Sequence, residues 1–342
     1  MKALILEAYN RLEYREVAEP AVGPNDVLVD VKACGICGSD VHGLDGSTGR
    51  RIPPVIMGHE AAGIVAQVGC QVRGWQPGDR VTFDSNIYCG VCGYCRKGMI
   101  NLCDARRVLG VSCAEFRQNG AFAEQVVVPQ QCVYRLPEGL PFEHAALVEP
   151  VSIVVHAAGR PGIKLNDSVV IVGAGVIGLL LVQALRAAGC GHIVVLDLEQ
   201  SRLDLAYRLG ANVGLRADAP DVLNQVQEQQ AGGADLVFEA VGSAAAVQVA
   251  FECARKGGVL TLIGNLCATA VLPLQSVVTR ELTIYSSCQS TGEYPACLEM
   301  MARGAIKVDS LISAVAPLAE GSAWFGKLRQ RGTGLVKVVL VP

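Results

Sequence analysis

Residues 168–189 read SVVIVGAGVIGLLLVQALRAAG. Val169, Val170, Ile171 and Val172 are all β-branched and run without a polar break, the pattern of a strand buried on both faces. Gly173, Gly175 and Gly178 then follow the spacing G-x-G-x-x-G, with Ala174, Val176 and Ile177 between them. A long apolar run leads from there to Gly189, where a helix would stop. A glycine triplet of this kind is weak alone and informative when it joins a strand to a helix. The first glycine permits the tight turn. The second lets the backbone approach a pyrophosphate, and the third lets the helix pack on the strand. Peptide N–H groups at the helix start then face the phosphates. The segment therefore predicts the opening of a doubly wound dinucleotide-binding domain, with Gly173, Gly175, Val176, Ile177 and Gly178 against the cofactor.

Asp197 lies 19 residues past Gly178, at the end of the next apolar stretch, HIVVLDL. A carboxylate there accepts from ribose hydroxyls and repels a 2′-phosphate, which favours NAD over NADP. Arg202 is near enough in sequence to soften that repulsion. Capping the next helix is the competing role for Asp197. The alternation of short apolar strands with longer helical stretches continues through ADLVFEAVG, AAAVQVAFECA and GGVLTLIG. It implies a parallel sheet covered by helices on both faces. Val241 and Ile263, at the ends of two of these strands, are further expected cofactor contacts.

The texture changes on either side. Up to residue 150 the chain has short β-rich runs, KALILEA, VLVDVKAC, AGIVAQVG and FAEQVVVP. Turn signals such as Gly23-Pro24 and Pro77-Gly78-Asp79 break them. The last stretch carries an amphipathic segment and a final strand, LVKVVLVP, suited to return to the first domain. The expected organisation is an α/β chain with a β-rich domain over 1–150 and 288–342 and a nucleotide-binding domain over 151–287. A length of 342 residues suits about two domains. A net charge of −3 with no long run of one sign offers no footing for nucleic acid or an anionic membrane. The opening MKALILEAYN lacks the long apolar core of a signal peptide, and no stretch matches a membrane span. A soluble, cytoplasmic protein is expected.

Of the 14 cysteines, four form Cys89-x2-Cys92-x2-Cys95-x7-Cys103, within a lobe spanning 86–105. Four thiolates on so short a loop suit a tetrahedral structural zinc, a closed shell with no place for substrate. The metal would hold together a loop too short to have its own core. An iron–sulfur cluster is the rival reading. The remaining cysteines are scattered, several in apolar runs (Cys190, Cys253, Cys267), as small buried hydrophobes rather than a disulfide framework.

Three other segments carry metal-ligand types: CGICGSDVH at 34–42, GHE at 58–60 and VEP at 148–150. Cys37, His59, Glu60 and Glu149 are the candidates. A catalytic zinc needs about three protein ligands and an open position, and spacing alone cannot unite such distant residues. The order of the motifs, however, resembles the zinc-containing medium-chain dehydrogenases, and most of all their sorbitol (polyol) branch. The resemblance covers essentially the whole chain through CGICGSDVH, GHEAAGIVAQVG, GDRV, the cysteine lobe, GAFAEQVVVP, VEPVS, VGAGVIGLL and GLVKVVL.

That resemblance implies a GroES-like catalytic domain with a Rossmann domain inserted near its C-terminal end, the active site lying in the cleft between them. It implies one catalytic and one structural zinc, with Cys37 and His59 on the catalytic metal and either Glu60 or Glu149 completing the shell. Asp40 would orient His59. A secondary alcohol would lose its proton through Ser39, by way of a cofactor ribose hydroxyl, towards His42 and solvent, and its hydride to the nicotinamide of NAD. For Ser39, Asp40 and His42 the alternatives are a turn former, a turn or surface carboxylate and a surface histidine. The implied substrate is a polyol or sugar alcohol, with a vicinal diol (butanediol type) or L-threonine as alternatives. A non-catalytic NAD-binding relative would have lost zinc ligands or the relay serine, and all are present. Gln289 stands where the polyol branch often has an arginine. Arg50 and Arg51 read as a sugar-phosphate grip or as solvated or paired surface charges. The resemblance also implies a homodimer or homotetramer, with small-molecule partners only.

Overall fold

The computed structural model describes residues 1–113, 116–330 and 332–342. The chain divides into two units. One comprises Met1–Glu149, Thr291–Ala302 and Val308–Pro342, the other Pro150–Ser290 and Arg303–Lys307.

The first unit holds strands β1 (Lys2–Ala8), β2 (Arg11–Glu16) and β3 (Asp26–Gly35), then helix α1 (Gly38–Gly43), β4 (Val55–Ile56), β5 (Glu60–Val68) and β6 (Arg80–Phe83). Strands β7 (Asn86–Ile87), β8 (Arg107–Val108), β9 (Gln125–Pro129) and β10 (Val133–Arg135) and helix α2 (Phe142–Ala145) follow, and helix α3 (Val148–Ala158) starts in this unit and belongs to the second from Pro150 on. The second unit is regular: β11 (Val169–Val172), α4 (Val176–Ala187), β12 (Ile193–Asp197), α5 (Gln200–Arg208), β13 (Val213–Arg216), α6 (Val222–Gln229), β14 (Ala234–Glu239), α7 (Ala244–Cys253), β15 (Ala254–Leu262), α8 (Leu274–Thr279) and β16 (Thr283–Ser286). The chain then returns to the first unit with α9 (Tyr294–Ala302), β17 (Ile312–Pro317), α10 (Gly321–Leu328) and β18 (Lys337–Val341).

In the second unit the sheet order is β13-β12-β11-β14-β15-β16, with every neighbouring pair parallel. This is the doubly wound order, and it reverses between β11 and β14. In sheets of this order ligands bind at the carboxyl ends of the strands at that reversal, because the two crossovers leave in opposite directions. All four residues of β11 are buried, as their unbroken apolar run requires.

In the first unit the main sheet runs β10-β6-β5-β3-β18-β17, with β9 also paired to β3. Strand β3 is the pivot. β5 lies antiparallel to it, with Glu60 opposite Gly35 and Ala61 opposite Cys34. On its other side the C-terminal β18 pairs antiparallel, with Val339 opposite Gly35 and Leu340 opposite Cys34. The core beneath includes Leu4, Val29, Met57, Phe83, Leu340 and an edge-to-face pair, Phe122 and Phe325, with centroids 5.8 Å apart. Burying each such side chain contributes roughly 1.5–3 kcal/mol. That contribution anchors the C-terminal strand beside the motifs of β3 and β5. Among the described residues no helix is long and apolar enough to cross a membrane.

Candidate active site and metal centres

Strand β3 delivers Cys37 to the start of α1. The Cys37 side chain caps that helix, accepting from the Ser39 N–H at 3.5 Å and from the Ser39 hydroxyl at 3.2 Å. His59 directly precedes strand β5, which opens with Glu60. The donor atoms of Cys37, His59 and Glu60 all lie within 4.8 Å of one another. Burial, then the Glu60 charge, pushes the free Cys37 thiol up to about 12. A bound cation is what favours its thiolate, so a buried thiol, imidazole and carboxylate converging on one point fit a catalytic zinc.

Glu149, at the start of α3, does not join that 4.8 Å set. Burial raises its carboxyl well above the ordinary value, His59 opposes the rise, and Glu60 and Cys37 add to it. Glu149 thus stands within electrostatic reach of all three donors.

The surroundings of this set hold two residues that sequence reasoning misplaced or missed. Arg51 is 2 % exposed. Its Nη2 lies 2.6 Å from Asp40 Oδ1 and its Nε 3.2 Å from the same oxygen. It is therefore a paired charge, as one reading of the sequence had it, but buried rather than on the surface and not free to grip a phosphate, whereas Arg50 is exposed. Asp40 is fully buried, and the same oxygen lies 3.5 Å from His59 Nδ1. Asp40 thus stands beside His59 at ion-pair distance, while His59 Nδ1 makes no hydrogen bond among the described residues. Lys337 was not anticipated. Its Nζ lies 2.6 Å from Glu60 Oε2 and 3.0 Å from the Ile36 carbonyl, and it is buried. A Cβ on Gly35 would collide with Glu60 Oε2, so a side chain there would push that carboxylate from its place beside Lys337. The available signal was a lone lysine inside the apolar run VKVVLV.

Ser39 and His42 are both exposed on α1, three residues apart and hence on one face. Ser39 Oγ also lies 3.4 Å from Arg51 Nη2.

In the cysteine lobe the sulfurs of Cys89, Cys92, Cys95 and Cys103 lie within 4.8 Å of one another. Backbone N–H groups point at three of them: Cys89 N to Cys103 Sγ at 3.3 Å, Cys92 N to Cys89 Sγ at 3.4 Å, and Cys95 N to Cys92 Sγ at 3.5 Å. Donors from Cys95 and Asp104 pull the Cys92 thiol down to about 6. A single zinc with bonds of about 2.3 Å separates its sulfurs by roughly 3.8 Å. A multi-iron cluster would spread its thiolates further.

In the second unit Asp197 Oδ2 accepts from the Ala174 N–H at 2.6 Å, and Oδ1 from Glu199 N at 2.9 Å. Glu199, not Asp197, is the N-cap residue of α5. The acidic residue is thus tied directly to the glycine loop. A Cβ on Gly178 would strike the Gly173 carbonyl, the close approach expected of the third glycine. Gly175 caps α4, which Val176 and Ile177 open. Arg202 lies on α5, while Ile263 directly follows β15 and Val241 lies two residues past the end of β14. Gln289 adopts a left-handed backbone, φ 52°, which is uncommon outside glycine.

Two family models match the chain: the alcohol dehydrogenase GroES-like domain over residues 23–138 and the zinc-binding dehydrogenase domain over 176–303. The chain belongs to the zinc-binding alcohol dehydrogenases. This dehydrogenase is 32% identical to a sorbitol dehydrogenase of Bacillus subtilis, over 100% of its own chain and 97% of the relative. It is 35% identical to an L-idonate 5-dehydrogenase of Vitis vinifera, over 86% and 81%. Among solved structures it matches a zinc-binding dehydrogenase from Sinorhizobium meliloti bound to NADP, with a TM-score of 0.92 and 34% identity over 100% and 99% of the two chains. The dehydrogenase is therefore an enzyme of the medium-chain zinc type, combining a GroES-like with a Rossmann domain and using a nicotinamide cofactor.

Proposed function

We propose that this dehydrogenase transfers hydride between a secondary alcohol of a polyol or sugar alcohol and NAD. The observation that carries the reading is the convergence of Cys37, His59 and Glu60 on one point, in a chain whose relatives are named as sorbitol and L-idonate dehydrogenases. Cys37, His59 and Glu60 would hold the catalytic zinc, with Glu149 as the second carboxylate, acting directly or through water. The metal supplies Lewis acidity to the substrate hydroxyl, and the nicotinamide supplies the hydride acceptor. Asp40 holds His59 in orientation and is itself held by Arg51. Lys337 holds one oxygen of Glu60. Ser39 would relay the hydroxyl proton, accepting it while handing its own on through a cofactor ribose hydroxyl to His42, one turn along the same helix, and so to solvent.

Preference for NAD rests on Asp197, whose carboxylate stands at the glycine loop. The four cysteines of the lobe hold the structural zinc, which suits a reducing compartment, the cytoplasm. Homo-oligomer formation is supported by β16, an edge strand on which Ile284 is exposed, as are Leu274 and Val278 of α8. A strand edge pairs with its own copy across a two-fold axis.

The test is NADH formation at 340 nm by the zinc-loaded enzyme with sorbitol, xylitol, galactitol, hexitol phosphates, 2,3-butanediol and threonine, with EDTA and NADP controls. Turnover of a polyol that chelation abolishes is expected. Silence on every polyol, with zinc and cofactor bound, overturns the substrate class. Light scattering of the eluting enzyme gives the subunit number, and a monomer overturns the oligomer.

A further inference from the structure

Glu239 ends β14, paired with Val172, the residue before the glycine loop. It is completely buried. Its Oε1 accepts from the N–H groups of Val241 at 2.9 Å and Gly242 at 2.8 Å. Its main-chain carbonyl accepts from Ile263 at 2.9 Å and Gly264 at 3.1 Å. One residue therefore holds two separate turns, those after β14 and β15, and with them Val241 and Ile263. The turns also press on each other and on the glycine loop. A Cβ on Gly264 would strike Gly242 N, and one on Gly173 would come 2.6 Å from Val241 Cγ2. Cys267 N donates to the Gly242 carbonyl at 2.8 Å. The second carboxyl oxygen, Oε2, is buried and has no hydrogen-bond partner among the described residues. Burying a polar atom unpaired is costly, and such a cost persists where a side chain is needed for something other than stability.

We propose that Glu239 is a positioning residue of the dinucleotide site, fixing through Oε1 the turn at 241–242 against the Gly173 loop. It touches no reacting atom and acts through Val241 and Gly242. The inference rests on the dinucleotide reading of this unit. Because Oε1 accepts whether or not the carboxyl is protonated, glutamine can take its place, whereas alanine cannot.

The experiment is titration of the zinc-loaded enzyme with NADH, followed by its fluorescence, for the wild type, Glu239→Gln, Glu239→Ala and Val241→Ala. The glutamine variant is expected to bind within about threefold of wild type. The alanine variant is expected to weaken NADH binding by about tenfold or more and to raise the cofactor KM while kcat at saturation stays within about twofold. The double variant Glu239→Ala/Val241→Ala should bind no worse than about twofold beyond Glu239→Ala. Unchanged NADH affinity in Glu239→Ala, or a glutamine variant as weak as the alanine one, overturns the inference. If the alanine variant does not fold, amide exchange on the wild type decides: residues 241 and 242 should be protected and slowed further by NADH. Fast exchange that NADH does not alter overturns the inference. A wild type that binds neither NADH nor NADPH overturns the dinucleotide reading itself, a separate result.

Discussion

Lys337 Nζ lies 2.6 Å from Glu60 Oε2, and the two side chains, 277 positions apart in sequence, are 2 % and 1 % exposed. Removing one member leaves a buried charge without its partner. Lys337→Met is therefore expected to lose about 3–5 kcal/mol in urea unfolding. Glu60→Gln with Lys337→Met together should lose clearly less than the sum of the single changes. Additive losses would show that the two are not coupled.

Arg51 holds Asp40 with Nε and Nη2 on one oxygen, and that oxygen also faces His59. Arg51→Ala should lower kcat/KM by about tenfold or more and speed metal loss to a chelator. Arg51→Lys should recover only part, since an ammonium cannot reproduce the two-point grip. Unchanged zinc retention and activity in Arg51→Ala would remove Arg51 from the site's support.

The lobe predicts a metal count. Cys103→Ser should bring zinc from about two per chain to about one and lower the thermal midpoint, while NADH affinity stays near wild type. Two zincs retained in the variant would mean the lobe does not bind one.

Asp197 carries the cofactor preference in this reading. Asp197→Ser should weaken NAD by about tenfold and improve NADP by a similar factor, measured as kcat/KM for each cofactor. Part of the NAD loss comes from freeing the Ala174 N–H, which Asp197 accepts at 2.6 Å. An unchanged ratio would place the preference elsewhere.

Asp84 gives a pH signature. Burial pushes its carboxyl up to about 7, with the Asn86 N–H opposing. Between about pH 4 and 7 the folded chain keeps a proton that the unfolded chain has released. Stability from this group therefore falls as pH rises through that window, by on the order of 4 kcal/mol in full. Asp84→Asn should gain on wild type at pH 8 relative to pH 5 in urea unfolding. An equal difference at both pH values would show that Asp84 titrates normally.

The local chemistry of this protein was set by sequence alone. The run from Val169 to Gly178 specifies strand, turn and helix through period and glycine spacing, and the sheet order follows from the alternation around it. The four lobe cysteines lie close enough along the chain for their spacing to name a metal site. Cys37 and His59 were legible only as ligand types in a familiar order of motifs. Tertiary structure decided what met across strands. β18 lies beside β3 because its apolar face completes the core, and only that pairing sets Lys337 against Glu60. The folding of the loop before β5 carries Arg51 inward onto Asp40, a burial that its charge alone argued against. Glu239 looked like one acidic residue at a strand end, and its grip on two turns exists only once β14 and β15 are paired. Contacts within a few residues are encoded by spacing, whereas ion pairs and hydrogen bonds between distant segments depend on a register that the whole core fixes.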